Sequence, residues 1–347
     1  MVVRVWGICV GVMALPARKR LRNIARWNSL SNQGYLYMGK GKFMAKRIFE
    51  KYEGNPIVSP KDMPEESWYT FNPGAIKFNG EYLLMMDVTK PDDKIQFWIA
   101  RSKNGRKFIP DSKPVDWPLL ENGTKEMTVY DPRITKIDDN YYILYASHEN
   151  GLDARIGIVK TCDFKEFERI SIGSELGNRN GVLFPEKING LYCRLDRPFG
   201  DEKRACGIWA SYSPDLVFWG KSRPLTKDGQ YFHNGAKIGA GAVPIRTDNG
   251  WLEIYHHVAP TMNGFIYRLR AMMLDFDDPS VVIGDSKDFI LWPEHDYEMK
   301  GRVGNVVFTC NAILEDDGTL KVYYGAADTH IGLAEARLSD IIDNIQF

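Results

Sequence analysis

The chain has 347 residues, 44% of them hydrophobic, enough for one large domain or two ordinary ones with a real core. Lys+Arg and Asp+Glu both number 45, a balance that argues against nucleic acid or an anionic membrane as the main partner. The aromatic content of 12% fits an all-β protein and also carbohydrate binding, although most of these rings are expected in the core.

The first 43 residues say little. The run "VWGICVGVMALPA" is apolar, but only Arg4 precedes it and the basic "RKRLRNIAR" follows it, the reverse of an export signal's polarity. It is also too short to span a bilayer. We read 1–43 as an uninformative extension and 44–347 as one folded domain, with a cleaved signal as the alternative for the extension. Cys9, Cys162, Cys193, Cys206 and Cys310 are scattered, odd in number and lack CxxC spacing. Neither a disulfide framework nor a zinc site is expected, and the reading is cytoplasmic.

Downstream, one pattern occurs five times: "AIKFNGEYLLMM", "ITKIDDNYYILYA", "PEKINGLYCRL", "PIRTDNGWLEIYH" and "AILEDDGTLKVYYG". Each is an apolar strand, a tight polar tip and a second alternating strand. Asn-Gly and Asp-Gly supply the positive φ angles that a two-residue hairpin turn needs. The tips at Gly80, Asn140, Gly190, Gly250 and Gly318 stand 60, 50, 60 and 68 residues apart, and a further short element follows each hairpin. This period describes an all-β, five-bladed β-propeller. A β-sandwich, the alternative, would not repeat so regularly.

In a propeller the innermost strand of each blade starts at the central channel, so blade entrances converge on the axis. The expected entrances are "FNPG" (71–74), "YDPR" (130–133), "LFPEK" (183–187), "KIGAG" (237–241) and "NVVFTC" (305–310). They carry Asn, Asp, Arg, Lys and Gly where a plain strand would begin with Val or Ile.

Taken in order, these motifs and "GWLEIYHHV", "LDFDDPSVVIG" and "VYYGAADTHIGLA" resemble the glycoside hydrolase family 130 mannoside phosphorylases over about residues 50–345. The resemblance implies a propeller that cleaves a β-mannoside with inorganic phosphate as co-substrate. Configuration would be inverted, giving α-mannose 1-phosphate with no metal or organic cofactor. Propeller phosphorylases often assemble, which allows a homo-oligomer.

Inverting hydrolysis normally needs an acid and a base, whereas a phosphorylase needs only the acid, because phosphate is already an anionic nucleophile. Cations must then hold that phosphate, Arg by bidentate contacts and Lys as a point charge. Asp131 falls on the family's catalytic aspartate, whose proton is relayed through the 3-hydroxyl of the cleaved mannose. By itself, Asp-Pro would read as a turn. Arg179, Arg197 and Lys237 match phosphate-binding residues, and His256 and Tyr267 fall where the family adds to that set. His257, one residue on, faces the other side of its strand and reads as structural. Asn72 and Asp328 match mannose-binding residues, and Tyr130 would line the same pocket.

One departure stands out. Asp87 in "YLLMMDV" occupies the place of an Arg that grips the sugar in many members, which puts linkage and acceptor preference in question. The alternatives are a hydrolase of the same family, with Glu186 as a conceivable base, and a non-catalytic sugar-binding propeller. The first should lose the cations, and the second should lose the acid or the cations.

Overall fold

The computed structural model describes residues 47–149, 151–199, 207–262 and 264–347. The expected extension over 1–43 lies outside the described residues.

Five antiparallel sheets form the blades. The first comprises Tyr69–Phe78, Glu81–Thr89, Ile95–Ser102 and Ile109–Pro110; the second, Thr128–Ile137, Asn140–His148, Arg155–Thr161 and Glu168–Ile172. The third comprises Asn178–Leu183, Tyr192–Pro198, Trp209–Ser213 and Gly220–Pro224. In the fourth, Lys237–Ala240 and Ile245–Arg246 both pair with Trp251–Thr261, followed outward by Gly264–Leu274 and Val282–Ser286. The fifth runs Val307–Leu314, Thr319–Ala326 and His330–Arg337.

The chain ends complete two outer edges. Glu50–Lys51 adds the outer strand of the fifth blade, and Ile345–Gln346 adds to the fourth. Each pairing covers an edge that would otherwise expose unpaired backbone groups. Among the described residues helix is confined to short pieces such as Asp296–Met299 and Leu338–Asp343. Among the described residues no helix is long and apolar enough to cross a membrane.

Because each blade is sandwiched between two others, its second strand is buried on both faces and reads as a continuous apolar run. Leu83, Leu84, Met85 and Met86 are all buried for this reason. Leu83 and Met85 pack with Ile143 and Tyr145 of the second blade, whereas Leu84 and Met86 pack with Tyr323 and Leu333 of the fifth. Similar clusters fill the other three junctions. The aromatics largely serve this core, in edge-to-face contacts such as Phe97–Trp117 and Phe184–Trp251.

Below the channel mouth the axis is closed by polar bridges between non-adjacent blades. Arg133, fully buried, donates from Nε to the Gly241 carbonyl (3.1 Å) and from Nη2 to that of Ala240 (3.3 Å). Asn311 pairs with both the N–H and the C=O of Ile134, at 2.9 Å each. The pocket therefore ends on a polar floor.

The third entrance differs from the expected one. Its inner strand is Asn178–Leu183, so "LFPEK" lies at the strand's far end and "NRNGV" faces the channel. Pro185 cannot donate to a ladder, and Glu186 and Lys187 are exposed.

Candidate active site

Four inner strands carry the same irregularity. Their registers shift between Phe71 and Gly74, Tyr130 and Arg133, Arg179 and Val182, and Thr309 and Asn311. In the first three, Asn72, Asp131 and Asn180 adopt φ values of 41°, 58° and 56°, which Asn and Asp tolerate better than most side chains. A bulge re-aims the side chain it carries, and these three line one cavity of about 670 Å³. Asn72, Tyr130, Asp131, Arg179, Arg197, Lys237, His256, Tyr267 and Asp328 all line it.

Asp131 is held on every side. Asn72 Nδ2 donates to Oδ1 (2.8 Å) and Asn180 Nδ2 to Oδ2 (3.4 Å), while Arg133 Nη1 donates to its carbonyl (2.9 Å). The Asp131 N–H, which the bulge takes out of the ladder, donates to Asp87 Oδ2 at 3.0 Å.

Asp87 is therefore no sugar contact. It does not line the cavity and is fully buried beneath the bulge, its carboxyl spent on the acid's own backbone. Burial, then the charge of Asp131, pushes its pKa well above the usual carboxylate range, which favours the neutral carboxyl. Asp87→Asn keeps a neutral acceptor and should leave turnover near wild type. Asp87→Leu orphans a buried N–H and should cost about 1–3 kcal/mol of stability, with turnover falling as the acid loses its anchor. Rates and unfolding curves of both variants decide this; equal losses of turnover would deny the role.

The cations gather on the third and fourth blades. Arg179 and Arg197 are direct partners across the ladder, where like charges repel unless an anion lies between them. Arg179 also reaches Asp153 at 3.4 Å. In the fourth blade Lys237, Val258 and Tyr267 stand in register on successive strands, with Lys237 Nζ 5.2 Å from the Tyr267 ring centroid.

His256 lies two residues before Val258 on the same face and meets Arg197 Nη1 through Nε2 at 3.0 Å. An arginine can only donate, so Nε2 accepts. Burial first, then Arg197, drives the imidazole pKa far below its usual value, and the ring is neutral. Gly239 makes this contact feasible, because a Cβ there would strike both the ring and Arg197. His257 packs on Phe289 instead, on the face away from the cavity.

The first and fifth blades close the opposite wall with Asn72, Phe308 and Asp328. Burial, then the charge of Asp131, lifts the Asp328 carboxyl to about 7, with Arg302 pulling the other way. An unfolded Asp titrates near 4, so the folded state binds the extra proton between about pH 4 and 7 and stability falls as pH rises through that window. Asp328→Asn should flatten the decline between pH 5 and 7, by up to about 1.4 kcal/mol per pH unit. Denaturant unfolding at both pH values checks this; identical slopes in the two proteins would clear Asp328 as the source.

Among the lining residues that escaped the sequence reading, Asn180 and Arg302 matter most. Asn180 was legible in principle, since "RNGV" set in register with "FNPG" and "YDPR" places it at the position of Asn72 and Asp131. Arg302 belongs to no motif; it comes from the segment before the fifth blade and is held by Thr89 Oγ1 (3.3 Å) and Asp93 (3.4 Å). Glu186, the conceivable base, lies exposed outside the cavity and pairs with Arg246.

A family model described as beta-1,4-mannooligosaccharide phosphorylase matches residues 40–346. The chain belongs to glycoside hydrolase family 130. Within family 130, the chain is 33% identical over 310 residues to a β-1,4-mannooligosaccharide phosphorylase of Ruminococcus albus, covering 87% of this chain and 92% of the relative. It is 37% identical over 310 residues to a 1,2-β-oligomannan phosphorylase of Thermoanaerobacter sp., covering 85% and 98%. The solved β-1,2-mannobiose phosphorylase from Listeria innocua, in complex with β-1,2-mannobiose, superposes with a TM-score of 0.73 at 30% identity, over 85% of this chain and 98% of that one.

Proposed function

We propose that the chain is an inverting β-mannoside phosphorylase, using inorganic phosphate to release α-mannose 1-phosphate. The observation that carries this reading is one cavity holding Asp131 on the second blade and Arg179, Arg197 and Lys237 on the third and fourth.

Phosphate sits among Arg179, Arg197, Lys237 and Tyr267, with His256 fixing the Arg197 fork. The mannose ring lies against Asn72, Tyr130 and Asp328. A phosphate oxygen forms the new bond to the anomeric carbon as the bond to the glycosidic oxygen breaks. The departing oxygen takes a proton from Asp131, relayed through the mannose 3-hydroxyl. Attack and departure occur on opposite faces of the ring, so the anomer inverts. A hydrolase would have no use for the arginine pair, and the site supplies no Glu186 to activate water. The free thiols of Cys162, Cys193 and Cys310 suit a reducing cytoplasm.

The relatives divide between β-1,4 and β-1,2 linkages, so mannobioses of both kinds are the substrates to assay. Cleavage should rise with phosphate and saturate. A rate that ignores phosphate for every mannoside would sink the reading.

A further inference from the structure

His148 stands behind the cavity wall and belongs to none of the entrance motifs. It ends the second strand of the second blade, Asn140–His148, and pairs directly with Thr128. Tyr130, two residues along that inner strand, is its diagonal neighbour on the same face, within reach of an aromatic ring. The direct partner of Tyr130 is Ala146, whose side chain offers the phenol no polar group. The phenol oxygen meets His148 Nε2 at 3.0 Å, with the two rings inclined at 31°.

The surroundings decide which of the two donates. Burial, then the charge of Arg179, lowers the His148 pKa, with Asp153 and a hydrogen bond to the Leu152 backbone opposing. The ring is therefore neutral near pH 7, with one N–H and one acceptor nitrogen. A backbone bond that favours the protonated ring is one that the imidazole donates to a carbonyl. Its single N–H is spent on Leu152, and Nε2 accepts from Tyr130. Burial, against the pull of Arg179, pushes the phenol up to about 12, so it keeps that proton to donate. Its oxygen then lines the cavity with lone pairs only. Phosphate oxygens need donors, whereas a sugar hydroxyl can give one.

We propose that His148 is a positioning residue for the sugar side of the site: it accepts the Tyr130 hydrogen bond and so fixes the phenol oxygen as the acceptor for one hydroxyl of the bound mannoside. The inference rests on the mannoside reading of the central cavity and adds a residue that acts through another. Its test is a double-mutant cycle on phosphorolysis of a mannobiose, with His148→Leu, Tyr130→Phe and the two combined. His148→Gln completes the set, since its amide oxygen can stand in for Nε2. Each single loss should lower kcat/KM for the mannoside by about tenfold, the upper worth of one hydrogen bond. The double variant should fall no further than either single, and His148→Gln should recover most of the wild-type value. The KM for phosphate should stay constant throughout. His148→Ala, measured beside the others, keeps the cycle complete if leucine disturbs the fold. Losses that multiply in the double variant would make His148 an independent structural residue. A change confined to the phosphate KM would mean that the phenol donates to the anion. Either result overturns the proposal and leaves the mannoside reading standing, whereas turnover of no mannoside by the wild-type protein would overturn both.

Discussion

Asp131→Asn is expected to lower turnover of a β-mannoside by about 10²–10⁴-fold, the range lost with one positioned general acid, while the protein unfolds near its wild-type temperature. The asparagine keeps the shape of the carboxyl and the backbone bond to Asp87, but it has no acidic proton to give. One of the donors Asn72 and Asn180 would then face an amide nitrogen, a cost in orientation rather than in folding. The deficit should shrink for an aryl mannoside, whose leaving group departs with little protonation. Release of mannose 1-phosphate, measured for both substrate classes beside a melting curve, checks the assignment. Near-wild-type turnover on a natural mannoside would remove Asp131 as the acid.

Neutralising the anion clamp should come next in size. Arg197→Ala and Lys237→Ala are each expected to reduce kcat/KM for phosphate by about 10²–10³-fold, as when one preorganised donor to developing charge is lost. The KM for phosphate should rise and turnover should drop, because the clamp both binds and aims the nucleophile. Mannobiose affinity measured without phosphate should hardly move. Arg197→Ala also releases His256 from its 3.0 Å contact, so it should do the greater harm. Unchanged phosphate kinetics in both variants would place the anion elsewhere.

Much of this was legible in the sequence, for identifiable reasons. Hairpin tips need Gly or Asn at fixed places, so the blade period survives in plain view. Strand entrances rich in Asn, Asp and Arg contradict the apolar rule for strands, and that conflict located the cavity. What stayed hidden depends on burial and on distance along the chain. Pro185 imitated the prolines of "FNPG" and "YDPR", and drew the third entrance to the wrong end of its strand. Asp87 reads as a charge on a strand, and only its burial under the Asp131 bulge reveals an acceptor for the Asp131 N–H. Arg302 reaches the cavity from a segment without periodicity. The edge strands Glu50–Lys51 and Ile345–Gln346 are too short to leave a pattern.

The central claim is that phosphate, not water, cleaves the mannoside with inversion. The most direct measurement follows the anomeric protons and phosphorus of the first product by NMR during reaction with β-1,4- or β-1,2-mannobiose, with and without phosphate. The expected result is α-mannose 1-phosphate formed only when phosphate is present. Free mannose released at the same rate in its absence would contradict the account.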